Sequence, residues 1–382
     1  MNLSSQRLGL VVALTTAMIA LVALLSTAPH LPAHAQGQTT PPDPQAKTSP
    51  AGSASLHNPT FDNHDWYEFN RRYQSAYPAG SWLPDDDNNL NDDIPESSRQ
   101  DWRLWFQNGT DIVETDPEQV YAHSIEGVQI RPYGGGHQLA GLYQVIYNTT
   151  PCLVYQFQMY GQSRPEGGDT WAVLQVGIDQ VGWHPDSTND PAVHAFPSTT
   201  VWGPSHDYKW TYGPLTVTAE ALNTQITVFT YADSPGGRSH RILWDTGSFQ
   251  DVTPAMIHDP DNLPSPGGIS NLSVTPGSTT AQVTWTTAEA ALGQVYYRKL
   301  PTPGSPPTGT VIFQVYLPLV ARSGGVTWQA TPLNKTPTTS HSETITGLEP
   351  DSTYAYIVVS RGLSGGQCVT WVSSEQQFTT TP

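Results

Sequence analysis

At 382 residues the chain exceeds what one hydrophobic core usually organises, so two folded units with tails are expected. Its formal charge of −17 falls unevenly: Leu56 to Leu263 holds 27 acidic side chains against 9 basic ones, whereas the segment from Pro264 onward balances 5 against 5. Such a field repels nucleic acid and anionic lipid or polysaccharide and favours cations and neutral ligands, with solubility outside the cell as the alternative reading, while a count of 2 cysteines excludes a disulfide-built scaffold.

The N-terminus reads as an export leader. Arg7 precedes an apolar run from Leu8 to Leu25, and Ala33-His34-Ala35 offers small residues at the two positions a signal peptidase reads, so cleavage is expected before Gln36. The run is also long enough to serve as an uncleaved anchor; under either reading the rest of the chain is extracellular or held at the cell surface. No later stretch is apolar enough to cross a membrane. Residues 36–55 are rich in Pro, Ser and Thr without apolar periodicity, the composition of a disordered spacer.

From 56 to 258 short runs of β-branched and aromatic residues recur between turn signals, which predicts an all-β domain. The clear strands are Leu153 to Tyr160, Trp171 to Ile178, Leu215 to Ala221 and Thr224 to Tyr231, with a short helix near Asp65 to Tyr73. Alternation turns Tyr155, Phe157 and Met159 to one face and Gln156, Gln158 and Tyr160 to the other; likewise Ala172, Leu174, Val176 and Ile178 oppose Trp171 and Gln175. If the two strands share a sheet, Gln156, Gln158, Trp171 and Gln175 form a polar and aromatic groove. Flat rings stack on a pyranose and planar amides bond its hydroxyls, so this is the candidate carbohydrate site. A solvated sheet face is the competing reading. Nine of the 12 tryptophans lie in this domain, and Trp102, Trp105, Trp183, Trp202 and Trp210 fall in loop-like contexts, where they form a rim site or plug the ends of the fold.

Asn58-Pro-Thr-Phe-Asp62, Ala140-Gly-Leu-Tyr-Gln-Val145, Tyr155-Gln-Phe157, Gln175-Val-Gly-Ile-Asp179 and Ile242-Leu-Trp-Asp245 together resemble the jelly-roll carbohydrate-binding modules of bacterial extracellular proteins. The acidic stretch from Asp85 to Glu118 departs from that pattern, so no sugar preference is carried over. The resemblance implies a structural calcium between the first and last strands, for which Asp62 and Asp245 occupy the matching places; backbone carbonyls would supply most other ligands. The alternative is two ordinary turn or strand-end aspartates. Asp85, Asp87, Asn89 and Glu96 fall at EF-hand-like positions, but Leu90 replaces the turn glycine and Pro84 and Pro95 oppose flanking helices, so an acidic loop is expected there.

Asp259-Pro-Asp-Asn-Leu-Pro-Ser-Pro-Gly-Gly268 punctuates the chain and is read as the domain linker. Beyond it, 269–382 reads as a second sandwich: Ile269 to Val274, Ala281 to Trp285 with Val283 and Trp285 inward, Gln294 to Arg298, Ser342 to Ile345, Tyr354 to Val359 and a last strand ending Phe378-Thr-Thr380. Leu348 and Tyr354 around Glu349-Pro350-Asp351 resemble the corner of a fibronectin type III domain, where a buried Tyr hydroxyl caps neighbouring backbone. The domain resembles in particular the one preceding the catalytic domain of purple acid phosphatases. Those enzymes hold two metals on Asp, Asn, His and Tyr ligands of a downstream domain that this sequence does not carry, so phosphatase activity is not expected.

An insertion at about 300–325 carries the apolar run Val311 to Val320, which either completes a sheet with Pro318 at an edge or docks on the first domain. Cys152 and Cys368 fall one in each domain and are expected as separately buried thiols, with an interdomain bridge as the alternative.

No catalytic set emerges. Glycoside hydrolysis needs two carboxylates facing each other roughly 5 to 10 Å apart, and no pair stands out. Zinc-protease spacing and Gly-x-Ser-x-Gly are absent, and Gly134-Gly-Gly-His137 reads as a loop. The expected protein is a secreted, non-catalytic binder of a neutral glycan or cell-surface polysaccharide, with the second domain as spacer or display module. A structural or adhesive surface protein is the alternative, and a jelly-roll glycoside hydrolase or lyase is the third reading.

Overall fold

The computed structural model describes residues 54–56, 72–73, 102–106, 112–118, 127–133, 138–165, 172–185, 195–234, 240–256, 266–301 and 327–382. The leader, most of the spacer, Asp62, the 85–96 loop, Trp171 and the run 311–320 lie outside them. So does most of the expected helix; its last two residues are instead the strand β1, held by pairing of Arg72 with Glu114 and Tyr73 with Val113.

Among the described residues every regular element is a strand. In chain order the first part holds β1 (Arg72–Tyr73), β2 (Arg103–Phe106), β3 (Ile112–Glu118), β4 (Gly127–Tyr133), β5 (Gln138–Tyr147), β6 (Val154–Pro165), β7 (Val173–Asp179), β8 (Thr200–Trp202), β9 (Gly213–Glu220), β10 (Gln225–Ser234) and β11 (His240–Asp251). They form a six-stranded sheet, β1-β3-β4-β11-β6-β9, and a five-stranded sheet, β2-β5-β10-β7-β8. Counted from β4, eight strands lie in the orders 1-8-3-6 and 2-7-4-5, the paired Greek keys of a jelly roll. The chain crosses between the sheets at almost every strand, so that the apolar inner face of each sheet is covered by the other.

Period-two alternation decides what fills the gap. Tyr155, Phe157 and Met159 of β6 and Leu215 and Val217 of β9 meet Leu174, Val176 and Ile178 of β7 and Ile226 and Val228 of β10 in one buried cluster. Each such side chain contributes about 1.5–3 kcal/mol when fully buried.

The second part holds β12 (Ile269–Pro276), β13 (Thr280–Lys299), β14 (Gln329–Ala330), β15 (Asn334–Thr346), β16 (Thr353–Ser364), β17 (Gln367–Val372) and β18 (Gln376–Thr379). Its axis is β13, whose first half pairs with β12 and β15 and whose second half pairs with β16 and β14, the register shifting between Thr286 and Ala291. That shift carries one strand through two layers and produces a fibronectin-type sandwich around Val283, Trp285, Ile345, Leu348, Tyr354, Tyr356 and Phe378. The expected corner is present: the Tyr354 hydroxyl accepts the Glu349 N–H at 2.9 Å.

The two sandwiches are joined firmly. Cys152 and Cys368 form a disulfide, Cα atoms 5.5 Å apart, correcting the expectation of two free thiols. Lys335 Nζ meets Asp251 Oδ2 at 2.6 Å, Arg361 pairs with Glu220, and the Met256 N–H donates to Gln294 Oε1 at 3.2 Å. Leu292 of the second sandwich enters the first sandwich's core cluster, with Leu333 and Leu363 packed against it. A bridge becomes possible because this docking brings the start of β6 and the β16–β17 hairpin together, something no local spacing encodes.

Candidate functional site

The predicted amide and aromatic groove does not assemble. Each strand faces as alternation predicts, but β6 belongs to the six-stranded sheet and β7 to the five-stranded one, so Gln156 and Gln158 look out on one side of the sandwich and Gln175 on the other. Trp171 lies outside the described residues. The two outer faces therefore have to be considered separately.

On the five-stranded sheet, Gln175 is already engaged, donating from Nε2 to the Gly203 carbonyl at 3.1 Å. Around it lies an aromatic layer that takes in Trp105, Trp183 and Trp202, three of the tryptophans expected at a rim or as plugs of the sandwich ends. Trp105, Tyr143 and Phe229 are buried, and Trp183, Phe196, Trp202 and Tyr231 pack against them. Phe196 is the keystone, edge-on to Trp105 at 4.9 Å, Trp202 at 4.8 Å and Phe229 at 5.1 Å, the T-shaped geometry that the ring quadrupole favours. Gly177 is required beneath this layer, since a Cβ there would come 2.7 Å from the Trp202 ring. Burial, and then the neighbouring Asp233 carboxylate, push the Tyr231 phenol up.

The β7–β8 connection that supplies Trp183 and Phe196 is tied down by Asp179. This fully buried carboxylate accepts from the Val181 and Trp183 N–H groups at 3.1 and 2.7 Å and from the Thr199 and Thr200 hydroxyls at 2.6 and 3.1 Å. The signal for this layer is in β10, where Val228 and Phe229 are consecutive and apolar: a strand with both faces apolar needs a cover on each side.

The outer face of the six-stranded sheet is different. Gln156, Gln158 and Tyr160 of β6 stand beside Ser248 and Gln250 of β11 and Thr216 and Thr218 of β9, by direct register. Gln250 Nε2 donates to Gln156 Oε1 at 2.9 Å and Gln158 Nε2 to Thr216 Oγ1 at 3.3 Å, so each amide keeps donors or acceptors in reserve. Gln156, Gln158 and Tyr160 are half-buried, while Thr218, Ser248 and Gln250 are exposed. None of these side chains is charged, within a region that carries 27 acidic residues. From Gln156 to Tyr160 the row runs about 13 Å at strand rise.

Asp245, opposite Tyr160, is fully buried and accepts from the Thr246 hydroxyl at 3.0 Å. Its expected calcium partner Asp62 lies outside the described residues, and among the described residues no cluster of three or more His, Cys, Asp or Glu could hold a metal. Of the tryptophans expected in loops, Trp105 and Trp202 lie instead in β2 and β8, where pairing with β5 and β7 holds them; Trp102 and Trp105 are buried, Trp183 and Trp202 are half-buried, and Trp210 is 55% exposed.

Residues 269–380 match the family model described as purple acid phosphatase, N-terminal domain. No curated protein matches the chain. Among solved structures it is similar to the adhesin domain of Epf from Streptococcus pyogenes (9% identity, TM-score 0.34, 86% of this chain and 97% of that one). It is also similar to an N-terminal CBM22 tandem domain from Paenibacillus barcinonensis (10%, 0.27, 72% and 93%). A third likeness is to a putative sugar binding protein from Bacteroides thetaiotaomicron (9%, 0.29, 40% and 87%).

Proposed function

We propose that the protein is an exported, non-catalytic binder of a neutral polysaccharide, with the ligand lying along β6 on the outer face of the six-stranded sheet. The observation that carries this reading is the uncharged amide and hydroxyl field of Gln156, Gln158, Gln250, Ser248, Thr216 and Thr218 on an otherwise strongly acidic domain. Amides with unused donors and acceptors suit the paired hydroxyls of a sugar, and a field without charge suits a ligand without charge. The leader sequence and the interdomain disulfide support an oxidising, extracellular location. The fibronectin-type sandwich then serves as a fixed extension that holds the binding face away from its attachment.

The test is a polysaccharide pulldown and glycan array on the full chain, comparing wild type with Gln156→Ala/Gln158→Ala. Two lost hydrogen bonds at about 1 kcal/mol each weaken binding by roughly tenfold or more, with thermal stability unchanged. Equal binding by the double variant would remove the sheet face from consideration. A second reading, an adhesive surface protein without a small ligand, draws support from the junction, where a disulfide and two ion pairs join the two sandwiches.

A further inference from the structure

Between β8 and β9, residues 203–212 form a strap sewn to both sheets across the open edge of the first sandwich. On the five-stranded side Gly203 N–H donates to Val176 O at 2.9 Å, and Leu174 and His206 exchange backbone bonds of 2.7 and 2.9 Å. On the six-stranded side Ser163 N–H donates to Tyr208 O at 2.9 Å and Trp210 N–H to Ser163 O at 3.0 Å. Inside the strap His206 stacks on Tyr208 at 4.8 Å, and the Tyr208 hydroxyl donates to Pro214 O at 3.0 Å. The backbone is thus fixed at both ends and along its length.

What this fixed strap holds out is Trp210. Trp210 is 55% exposed, and the only other exposed large hydrophobic among the described residues is Val173 at 40%. Trp210 sits at φ 60°, a left-handed conformation that a bulky residue adopts at a cost and glycine adopts freely. Neither backbone preference nor core packing explains a tryptophan here. Along the strap Ser205, His206, Asp207 and Thr211 are exposed and Tyr208, Lys209 and Tyr212 are half-buried, so the ring is a flat apolar plate on a segment rich in hydrogen-bonding groups.

We infer that Trp210 is a second carbohydrate site, stacking a single pyranose ring of a neutral glycan, distinct from the sheet face and independent of it. A rigid indole plate needs no ordering when a sugar arrives, and the apolar face of a pyranose is the complement of such a plate. A protein partner is disfavoured by size: a specific protein interface buries on the order of 1,200 Å² or more around an apolar centre, and a single exposed indole supplies no such centre. Two sites on one rigid chain would also raise the avidity for a polymer over that for a short oligosaccharide.

The experiment is an intrinsic tryptophan fluorescence titration of the full chain with soluble oligosaccharides of glucose, xylose, mannose and galactose, run on wild type, Trp210→Ala, Trp210→Tyr, Trp210→Gly and Gln156→Ala/Gln158→Ala. The expected result is a saturable change in the exposed-tryptophan emission of wild type and of the glutamine double variant, lost in Trp210→Ala. Trp210→Tyr retains weaker binding in a parallel calorimetric titration. Trp210→Gly, which relieves the left-handed backbone, unfolds at or above the wild-type temperature while binding no sugar at this site. A fluorescence response that survives Trp210→Ala overturns the strap site and leaves the sheet-face reading standing; loss of binding only in the glutamine variant does the same. No response to any sugar, or a Trp210→Gly protein that melts several degrees lower, makes the ring a packing element and also overturns the inference.

Discussion

The two sandwiches bury polar side chains alike but cover their sheets differently. Inside the fibronectin-type sandwich Trp285 Nε1 donates to Ser360 Oγ at 2.8 Å, Gln294 Nε2 donates to Thr331 O at 2.7 Å, and the Tyr296 hydroxyl donates to Gln294 Oε1 at 2.9 Å, as Asp179 gathers its donors inside the jelly roll. In the jelly roll the aromatics fill the core and a second layer outside the five-stranded sheet, and a row of amides and hydroxyls remains on the opposite surface. The fibronectin-type sandwich also leaves an amide beside a hydroxyl at its surface, Gln282 Nε2 donating to Ser342 Oγ at 3.0 Å, so what sets the jelly roll apart is the aromatic layer over one sheet and the grouping of Gln156, Gln158 and Gln250 on the other.

The strongest way to break the comparison is to uncouple the two halves. The Cys152–Cys368 bridge spans 216 residues of sequence, so in the chain-entropy view its removal gives back a large loop to the unfolded state. Replacing both cysteines with serine should lower stability by about 4 kcal/mol and split a single urea transition into two, read by tryptophan fluorescence against far-UV circular dichroism. Coincident transitions with little loss would mean that Leu292, Lys335–Asp251 and Arg361–Glu220 hold the junction unaided.

Next in size is Asp179→Ala, which acts within the first sandwich alone. It strips the acceptor from two N–H groups and two hydroxyls around a fully buried position, and buried groups left unsatisfied cost about 1–3 kcal/mol each before relaxation. A net loss of about 3 kcal/mol is expected, with the near-UV circular dichroism of the Trp183, Phe196 and Trp202 layer collapsing first. A variant that keeps its near-UV spectrum would show that the aromatic layer assembles without this anchor.

How much of this was legible in the sequence depends on the range of the physics involved. The facing of Gln156 and Gln158 is a local property, since side chains alternate with period two whatever the strand pairs with, and it is read directly. The corner at Leu348 and Tyr354 is local too. Which sheet a strand joins is set by long-range crossing of the chain, and this is why Gln175 could be assigned to the groove from sequence yet stands on the opposite side of the sandwich. The disulfide needed two Cα atoms to come within 5.5 Å through docking of whole domains. Trp210 is set apart from Trp102 and Trp105 by its exposure and backbone conformation, neither of which its neighbours in sequence encode.

The smallest predicted effect sharpens the comparison from the second sandwich. His341 lies flat on Trp285, ring centroids 4.8 Å apart and planes 4° from parallel, with Nε2 against the Thr287 hydroxyl at 3.2 Å and Nδ1 buried without a hydrogen-bond partner. Gly293 is what admits the ring, since a Cβ there would come 2.7 Å from Nδ1. Burial lowers the His341 pKa below its ordinary value of 6.5, because the imidazolium would sit in the core without compensation. In the unfolded chain the same imidazole takes up its proton at the ordinary pKa, so below that value the unfolded state binds the more protons. The contribution is therefore fully present above pH 6.5 and is lost as the pH falls from there toward the depressed folded value. Denaturation midpoints of wild type and His341→Gln, followed from pH 8 down to about pH 5, should run parallel above neutrality and converge below it. Parallel curves throughout would mean that burial of His341 against Trp285 leaves its proton equilibrium unchanged on folding.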